Sequence, residues 1–345
     1  MTVGLIFDRI GHHSRRSGYD QIYSHLRNRI DVEQIQPFQR SRLSSWFWQR
    51  MINHAGVGWY DQQAASLETA VAWRMLSGKR TVFHHLYGEN TYRFLGYMKA
   101  ARFWGGALMA SYHQPPTVFE RVISYRKMLT SLDAMVLVSN SQVPYFSSMV
   151  SPRTKVAVIP HGVDTDYYAP GERHNKDTIT CICVGQWLRD FDMLKSVAEY
   201  VLPRDRRVRF LAVGCGPARE KLQNTSNIEI AGRLSDDELL TAYQQADIMV
   251  FPLTDSTANN ALLEGLSCGL PMVTTDVGGT RDYVDESCAF LHQAGDVKGM
   301  AETVLSLAAD DQLRSEMGRR SRARSLDFDW NRVMPQLIDL YKVFA

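Results

Sequence analysis

The sequence predicts an α/β protein of two tandem β-α domains, each built on a mostly parallel sheet. Short apolar runs alternate with longer helical patterns along the whole chain, the rhythm of β-α units. That rhythm restarts after residues 167–177, a stretch rich in Pro, Gly and charge with no periodicity. A length of 345 residues is also long for one domain and comfortable for two of about 150–200.

In the first half, Val3–Phe7, Thr81–His84, Gly106–Tyr112, Ala134–Ser139 and Val156–Ile159 read as buried strands, with helices such as Tyr19–Arg29 and Gln62–Leu76 between them. In the second half, Thr178–Val184, Val208–Val213, Asn227–Ile230, Ile248–Phe251, Pro271–Thr275 and Ala289–Leu291 are the predicted strands. Asp236–Gln245, Ala261–Ser267 and Val297–Ala309 are the predicted helices between them. The expected organisation is a first domain over 1–166, a linker over 167–177, a second domain over 178–325 and a terminal helical segment over 326–345. Two such domains are expected to leave a cleft at the carboxyl ends of their strands, where open α/β sheets bind ligands.

At 45% hydrophobic and 22% charged residues, the composition is that of a soluble globular protein. The net charge of +2 conceals an asymmetry: residues 1–160 carry 19 Lys/Arg against 9 Asp/Glu, and the remainder 20 against 28. A basic first half suits an anionic partner such as a lipid phosphate or a membrane surface, or is simply a solvated face. No nucleic-acid-binding module accompanies it, so nucleic acid is not an expected partner. The five cysteines all lie in the second half among apolar strand residues and read as reduced thiols of a cytoplasmic protein. No secretory signal or membrane-spanning run is recognised, which leaves peripheral contact at the inner membrane face as the membrane option. The aromatic stretches Trp46-Phe47-Trp48 and Tyr92–Trp104 are expected to be amphipathic helices packing inward rather than lying on a bilayer.

The strongest local pattern runs from Asn259 to Pro271. Thr257 and Asn259 are good helix N-cap residues, helix formers follow, Gly269 stops the helix and Pro271 opens a strand. A helix beginning there presents backbone N–H groups and a positive dipole end to a diphosphate. Glu264 lies about one turn in, where a carboxylate can accept from two vicinal ribose hydroxyls.

With Gly269-Leu-Pro-Met-Val-Thr-Thr-Asp-Val-Gly-Gly279, this segment resembles the C-terminal pattern of the retaining GT-B glycosyltransferases of family GT4. Val158-Ile-Pro-His-Gly-Val-Asp164 is similar to the family's strand-loop before the interdomain linker. Val184-Gly185, Val213-Gly-Cys-Gly216 and Ile230-Ala-Gly232 follow in the family's order, and Phe328-Asp-Trp330 to Tyr341 resembles its terminal helix, which crosses back onto the first domain. The resemblance is dense from Lys155 to Ala345 and thinner before. It implies a GT-B fold, two Rossmann-like β/α/β domains facing a central cleft.

It further implies a nucleotide diphosphate sugar as donor and a saccharide or lipid-linked hydroxyl as acceptor. Transfer would retain anomeric configuration through front-face attack, with no cofactor and no metal ion. The family's basic pair after the second domain's first strand is reduced here: Gln186 follows Gly185, and Arg189 takes the role of the pyrophosphate-gripping lysine. The family's E-x7-E motif also departs, because Ser256 stands eight positions before Glu264; Ser256, or the neighbouring Asp255, is left to contact the sugar. The Asn259-Asn260 pair replaces the usual Gly-containing stretch facing the phosphates.

In the first domain, Gly11–Tyr19 resembles the family's glycine loop, with Gly18 allowing close approach to the donor phosphates, Arg15 and Arg16 adding charge, and Tyr19 on the acceptor side. His113, at the end of a strand before Gln-Pro-Pro, stands where the family keeps a histidine beside sugar and acceptor. Together with Arg189 it is the expected catalytic group, and Glu89 is an acceptor-side candidate. A metal site from His84, His85 and His113 is the minor alternative to separate roles for these histidines.

Two other classes compete. A dinucleotide oxidoreductase reading of Val213-Gly-Cys-Gly216 fails because the third glycine of G-x-G-x-x-G falls at Arg219. A degenerate, non-catalytic GT-B binding protein stays open through Ser256 and Gln186, as does a sugar-nucleotide epimerase on the same fold.

Overall fold

The computed structural model describes residues 2–344 apart from 8–15, 40, 78–80, 101–105, 125 and 173–176. Residues Gly11 to Arg15 of the glycine loop, the end of the Tyr92–Trp104 stretch and the middle of the expected linker therefore lie outside the described residues.

The chain forms two compact units, each around a six-stranded parallel sheet. The first sheet contains β1 (Thr2–Ile6), β2 (Val32–Gln34), β3 (Thr81–His85), β4 (Ala107–Tyr112), β5 (Ala134–Leu137) and β6 (Lys155–Val158). Its spatial order is β2-β1-β3-β4-β5-β6. The second contains β7 (Ile179–Val184), β8 (Val208–Val213), β9 (Ile228–Ala231), β10 (Ile248–Phe251), β11 (Met272–Thr275) and β12 (Ala289–His292), in the order β12-β11-β10-β7-β8-β9. Numbered within its own unit, the second sheet runs 3-2-1-4-5-6, the Rossmann order, with its reversal between β7 and β10. The first sheet reverses between β1 and β3. Central strands such as β4 and β10 are buried at every residue, as their apolar runs require.

Several boundaries differ from expectation for local reasons. β2 went unpredicted because Val-Glu-Gln carries no apolar run; it is a short edge strand in register with β1. β5 stops at Leu137, and Ser139 instead caps the following turn by accepting from Ser141 N–H. The helix expected over Tyr19–Arg29 is confined to Gln21–Leu26, with Tyr19 and Asp20 forming the turn that leads into it.

The second unit begins at Gly162. Val163 N–H donates to Phe328 O at 2.9 Å, and a Cβ at Gly162 would stand 2.3 Å from the Trp330 ring, so glycine is what lets that ring close on the chain. Tyr168 is fully buried in this unit's core, and Arg322 Nη1 donates to the carbonyls of Thr165 and Tyr168. Arg16 and Ser17 also belong to the second unit, Arg16 lying 3.8 Å from Asp164. From Asn331 onward the terminal helix Trp330–Lys342 belongs to the first unit, where Arg29 donates to Asn331 and Tyr341 Oη lies 2.7 Å from His84 Nδ1.

The inward packing expected of Trp46-Phe47-Trp48 holds for one residue. In the helix Arg42–Ala55, Trp48 is buried and donates from Nε1 to Thr69 Oγ1 at 3.0 Å, whereas Trp46 and Phe47 face solvent. Tyr92 and Arg93 are buried, Arg93 donating to the carbonyl of Ala55. No helix among the described residues is long and apolar enough to cross a membrane. All five cysteines are buried free thiols.

Candidate functional site

In the second unit the sheet order places the loops after β7 and β10 side by side, and backbone bonds tie them together. Asp190 N–H donates to Pro252 O at 2.9 Å and Thr254 N–H to Leu188 O at 3.0 Å. Gly185 turns the chain out of β7 at φ +82°, and its missing Cβ makes room for Arg189 Nη2, 3.1 Å from where that atom would be.

The Arg189 guanidinium folds back under the loop. Nε donates to Val184 O at 3.0 Å, Nη1 to Trp187 O at 2.6 Å and Nη2 to Asn259 Oδ1 at 3.1 Å, while its Cζ sits 4.0 Å from the Phe251 ring centroid. Each terminal nitrogen keeps a second N–H. Burial pulls its pKa down to about 10, so it is charged at neutral pH. Asp190 does not pair with it but caps the helix Phe191–Val201 by accepting from Met193 N–H at 2.9 Å.

The helix Asn260–Ser267 follows the β10 loop. Asn259 is its N-cap residue, yet its side chain makes no capping bond, because Oδ1 is turned to Arg189. The first turn, which starts at Asn260, is thereby left without a side-chain cap while a guanidinium is held beside it. Ser256 is buried: its carbonyl accepts from Gly279 N–H at 2.8 Å, and its hydroxyl reaches only Thr257 O at 3.5 Å. Asp255 turns its carboxylate to Ser256 N–H at 2.8 Å.

Glu264 is buried one turn into the helix. Tyr243 Oη donates to its Oε2 at 2.9 Å, and the Ser17 side chain also bonds to it. Burial raises its pKa, and these hydroxyl bonds oppose the rise.

The first unit carries its own cluster where its strand order reverses. Gly18, at φ +104°, ends the loop after β1, and Tyr19 N–H donates to Tyr87 Oη, beyond β3, at 2.9 Å. The Tyr19 ring meets His113 edge-on at 4.5 Å and lies 5.4 Å from His161, and Tyr87 is 5.0 Å from His113. Burial raises the Tyr19 phenol to about 12. Glu89 is buried, and one of its oxygens accepts from the N–H groups of both His113 and Gln114, the latter at 2.9 Å. Its other oxygen is 3.7 Å from His113 Nδ1. One oxygen of this carboxylate thus holds the turn after β4. Both ring nitrogens of His84 are bonded, to Tyr341 and to Ser111 at 2.8 Å, and His85 Nδ1 lies 3.0 Å from Thr91 Oγ1. Among the described residues no group of three His, Cys, Asp or Glu is placed to hold a metal ion.

Residues 178–310 match the family model of glycosyl transferases group 1. Over these residues the second unit is similar to a group 1 glycosyl transferase domain. A sulfoquinovosyl transferase of Arabidopsis thaliana is 32% identical over 41% of this chain and 28% of its own length. A D-inositol 3-phosphate glycosyltransferase of Nocardia farcinica is 25% identical over 66% of the chain and 56% of its own. The chain thus spans about a quarter to a half of these relatives. The structure of Anabaena HepE in complex with UDP-glucose superposes with a TM-score of 0.72 at 14% identity, covering 99% of this chain and 100% of that one. The fold is GT-B, with two Rossmann-like domains.

Within the second unit the structure brings Gly185, Arg189, Asn259 and Asn260 together, and sets Glu264 one turn deeper. Gly18, Tyr19, Glu89 and His113 gather in the other unit. Tyr243, Tyr168, Tyr87 and His161 were not anticipated. Tyr87 had a signal in lying two residues before Glu89; Tyr243 sits in the last turn of the helix Asp236–Gln245, with no motif to mark it.

Proposed function

We propose that this protein transfers a glycosyl group from a nucleoside diphosphate sugar to an acceptor hydroxyl with retention of configuration. The observation that carries this reading is the uncapped first turn at Asn260 beside the Arg189 guanidinium, both held through Asn259 at the sheet's point of reversal. A diphosphate there receives backbone N–H groups, a helix dipole and a fixed cation at once. The group 1 match and the UDP-glucose named with Anabaena HepE support the same donor class.

In the proposed reaction the bond from the anomeric carbon to the phosphate oxygen breaks as the acceptor oxygen bonds to the same face. The departing phosphate oxygen takes the acceptor's proton, so the diphosphate leaves with the bonding pair and no separate protein base is required. Arg189 and the first-turn N–H groups stabilise the charge that grows on the leaving group. Glu264 is the ribose anchor: it already takes hydroxyl donors from Tyr243 and Ser17, and a vicinal diol presents the same chemistry. His113, set by Glu89 and ringed by Tyr19 and Tyr87, hydrogen-bonds the sugar or acceptor.

Calorimetric titration with UDP and GDP, followed by donor hydrolysis across UDP-, GDP- and ADP-sugars, tests the proposal. At least one nucleoside diphosphate should bind, and Glu264→Ala should weaken it strongly; unchanged affinity in that variant would overturn the ribose assignment. Binding without turnover of any donor would favour the non-catalytic reading, to which the short reach of Ser256 lends support.

A further inference from the structure

Eleven large hydrophobic side chains are exposed among the described residues, and six of them fall between Phe38 and Leu76. Leu43, Trp46 and Phe47 are 84%, 67% and 48% exposed, and Trp73 and Leu76 are 68% and 61%. Leu43, Trp46, Phe47 and Arg50 follow i, i+3, i+4, i+7 spacing and share one face of the helix Arg42–Ala55. The opposite face carries Trp48 and Ala55 into the core.

The next helix, Gln62–Leu76, packs against it through Trp48 and Thr69, which brings the start of one helix to the end of the other. Ser66 Oγ donates to Phe38 O at 3.1 Å, and the Phe38 and Trp73 rings meet edge-on at 6.5 Å. The six apolar side chains thus gather at one end of a helical hairpin. That end is basic: Arg42 and Arg50 are exposed, and no Asp or Glu occurs between Gln34 and Tyr60. Glu33, just outside this span, is paired with Arg74.

We propose that this hairpin end docks onto an anionic lipid bilayer, Trp46, Phe47 and Trp73 entering the interface and the arginines meeting lipid phosphates. Tryptophan and phenylalanine beside arginine are the residues that favour the boundary between headgroups and acyl chains. A second copy of the chain fits less well, because a two-fold self-contact would bring together two copies of the same basic surface, whose 34–60 segment has no acid to offset Arg42 and Arg50. The proposal stands independently of the donor chemistry.

The test is co-sedimentation of the full chain with phosphatidylcholine vesicles, with and without phosphatidylglycerol. The wild type should pellet with anionic vesicles, and added salt should release it. A triple variant, Trp46→Ser with Phe47→Ser and Trp73→Ser, should bind at least about tenfold more weakly. Arg42→Gln with Arg50→Gln should lose the preference for phosphatidylglycerol, while Phe290→Ser, at an exposed aromatic of the second unit, should change nothing. Circular dichroism and thermal unfolding of the same variants check their folding independently of vesicle binding and of any donor. A wild type that stays in the supernatant with both vesicle types, or a triple variant that pellets equally well, overturns the proposal. So does a wild-type dimer in light scattering that the triple variant abolishes, since the occupant would then be a second copy.

Discussion

The two units place their candidate residues at equivalent positions and spend them differently. Each cluster forms where its strand order reverses, between β7 and β10 in one sheet and between β1 and β3 in the other. In the second unit the protein leaves polar capacity unspent: Asn259 forgoes capping its helix, and Arg189 keeps N–H groups beside the open turn. In the first unit one oxygen of the Glu89 carboxylate is taken by the backbone of both His113 and Gln114. The point of reversal supplies a place for a ligand, but what the protein does not satisfy internally sets the chemistry there.

The largest expected effect tests the second unit. Arg189→Ala should lower kcat/KM for the best donor by about 100- to 1000-fold, the cost of removing a group that stabilises leaving-group charge. Arg189→Lys should fall between that variant and wild type. Full turnover in the alanine variant, with reduced thermal stability, would make this arginine a brace and remove the contrast between the units.

Glu89→Ala should destabilise the protein by about 3 kcal/mol in urea unfolding, since two partly buried N–H groups lose their acceptor. Glu89→Gln, which keeps a carbonyl oxygen there, should recover much of the loss. A stable alanine variant without turnover would mean the carboxylate serves the acceptor after all.

The first unit should also be the acid-sensitive one. Burial pushes His84 and His85 down to about 3 from an ordinary value of 6.5. The folded chain therefore holds them neutral where the unfolded chain protonates them. The stability this represents is complete above about pH 6.5 and is lost as pH falls toward 3, on the order of 5 kcal/mol for each histidine. Urea midpoints from pH 7 to pH 4 measure it, and His84→Gln should flatten the slope.

The smallest effect sharpens the comparison most. Asn259→Asp should cap the helix, pair with Arg189 and raise Tm by a few degrees, yet weaken UDP binding about tenfold by filling the anion position. Tighter UDP binding in this variant would show that the turn is not where the diphosphate sits.

Much of this was legible before any coordinates. The segment from Asn259 to Pro271 announces a helix start, its glycine stop and the next strand, because capping and turn chemistry act within a few residues. Most strands were marked by their apolar runs, whereas β2 has none and exists because β1 offers it an edge. The outward turn of Trp46 and Phe47 was not legible, since a helix apolar on two faces does not declare which one is core.

By itself, then, the sequence determined the α/β class, the tandem repetition of β-α units and the start and stop of the helix around Glu264. Only the tertiary structure decided that Asn259 bonds a guanidinium 70 residues away and that one Glu89 oxygen holds a turn 24 residues on. Local propensities act along a few residues of chain, whereas such bonds join groups that only the order of the strands brings within reach.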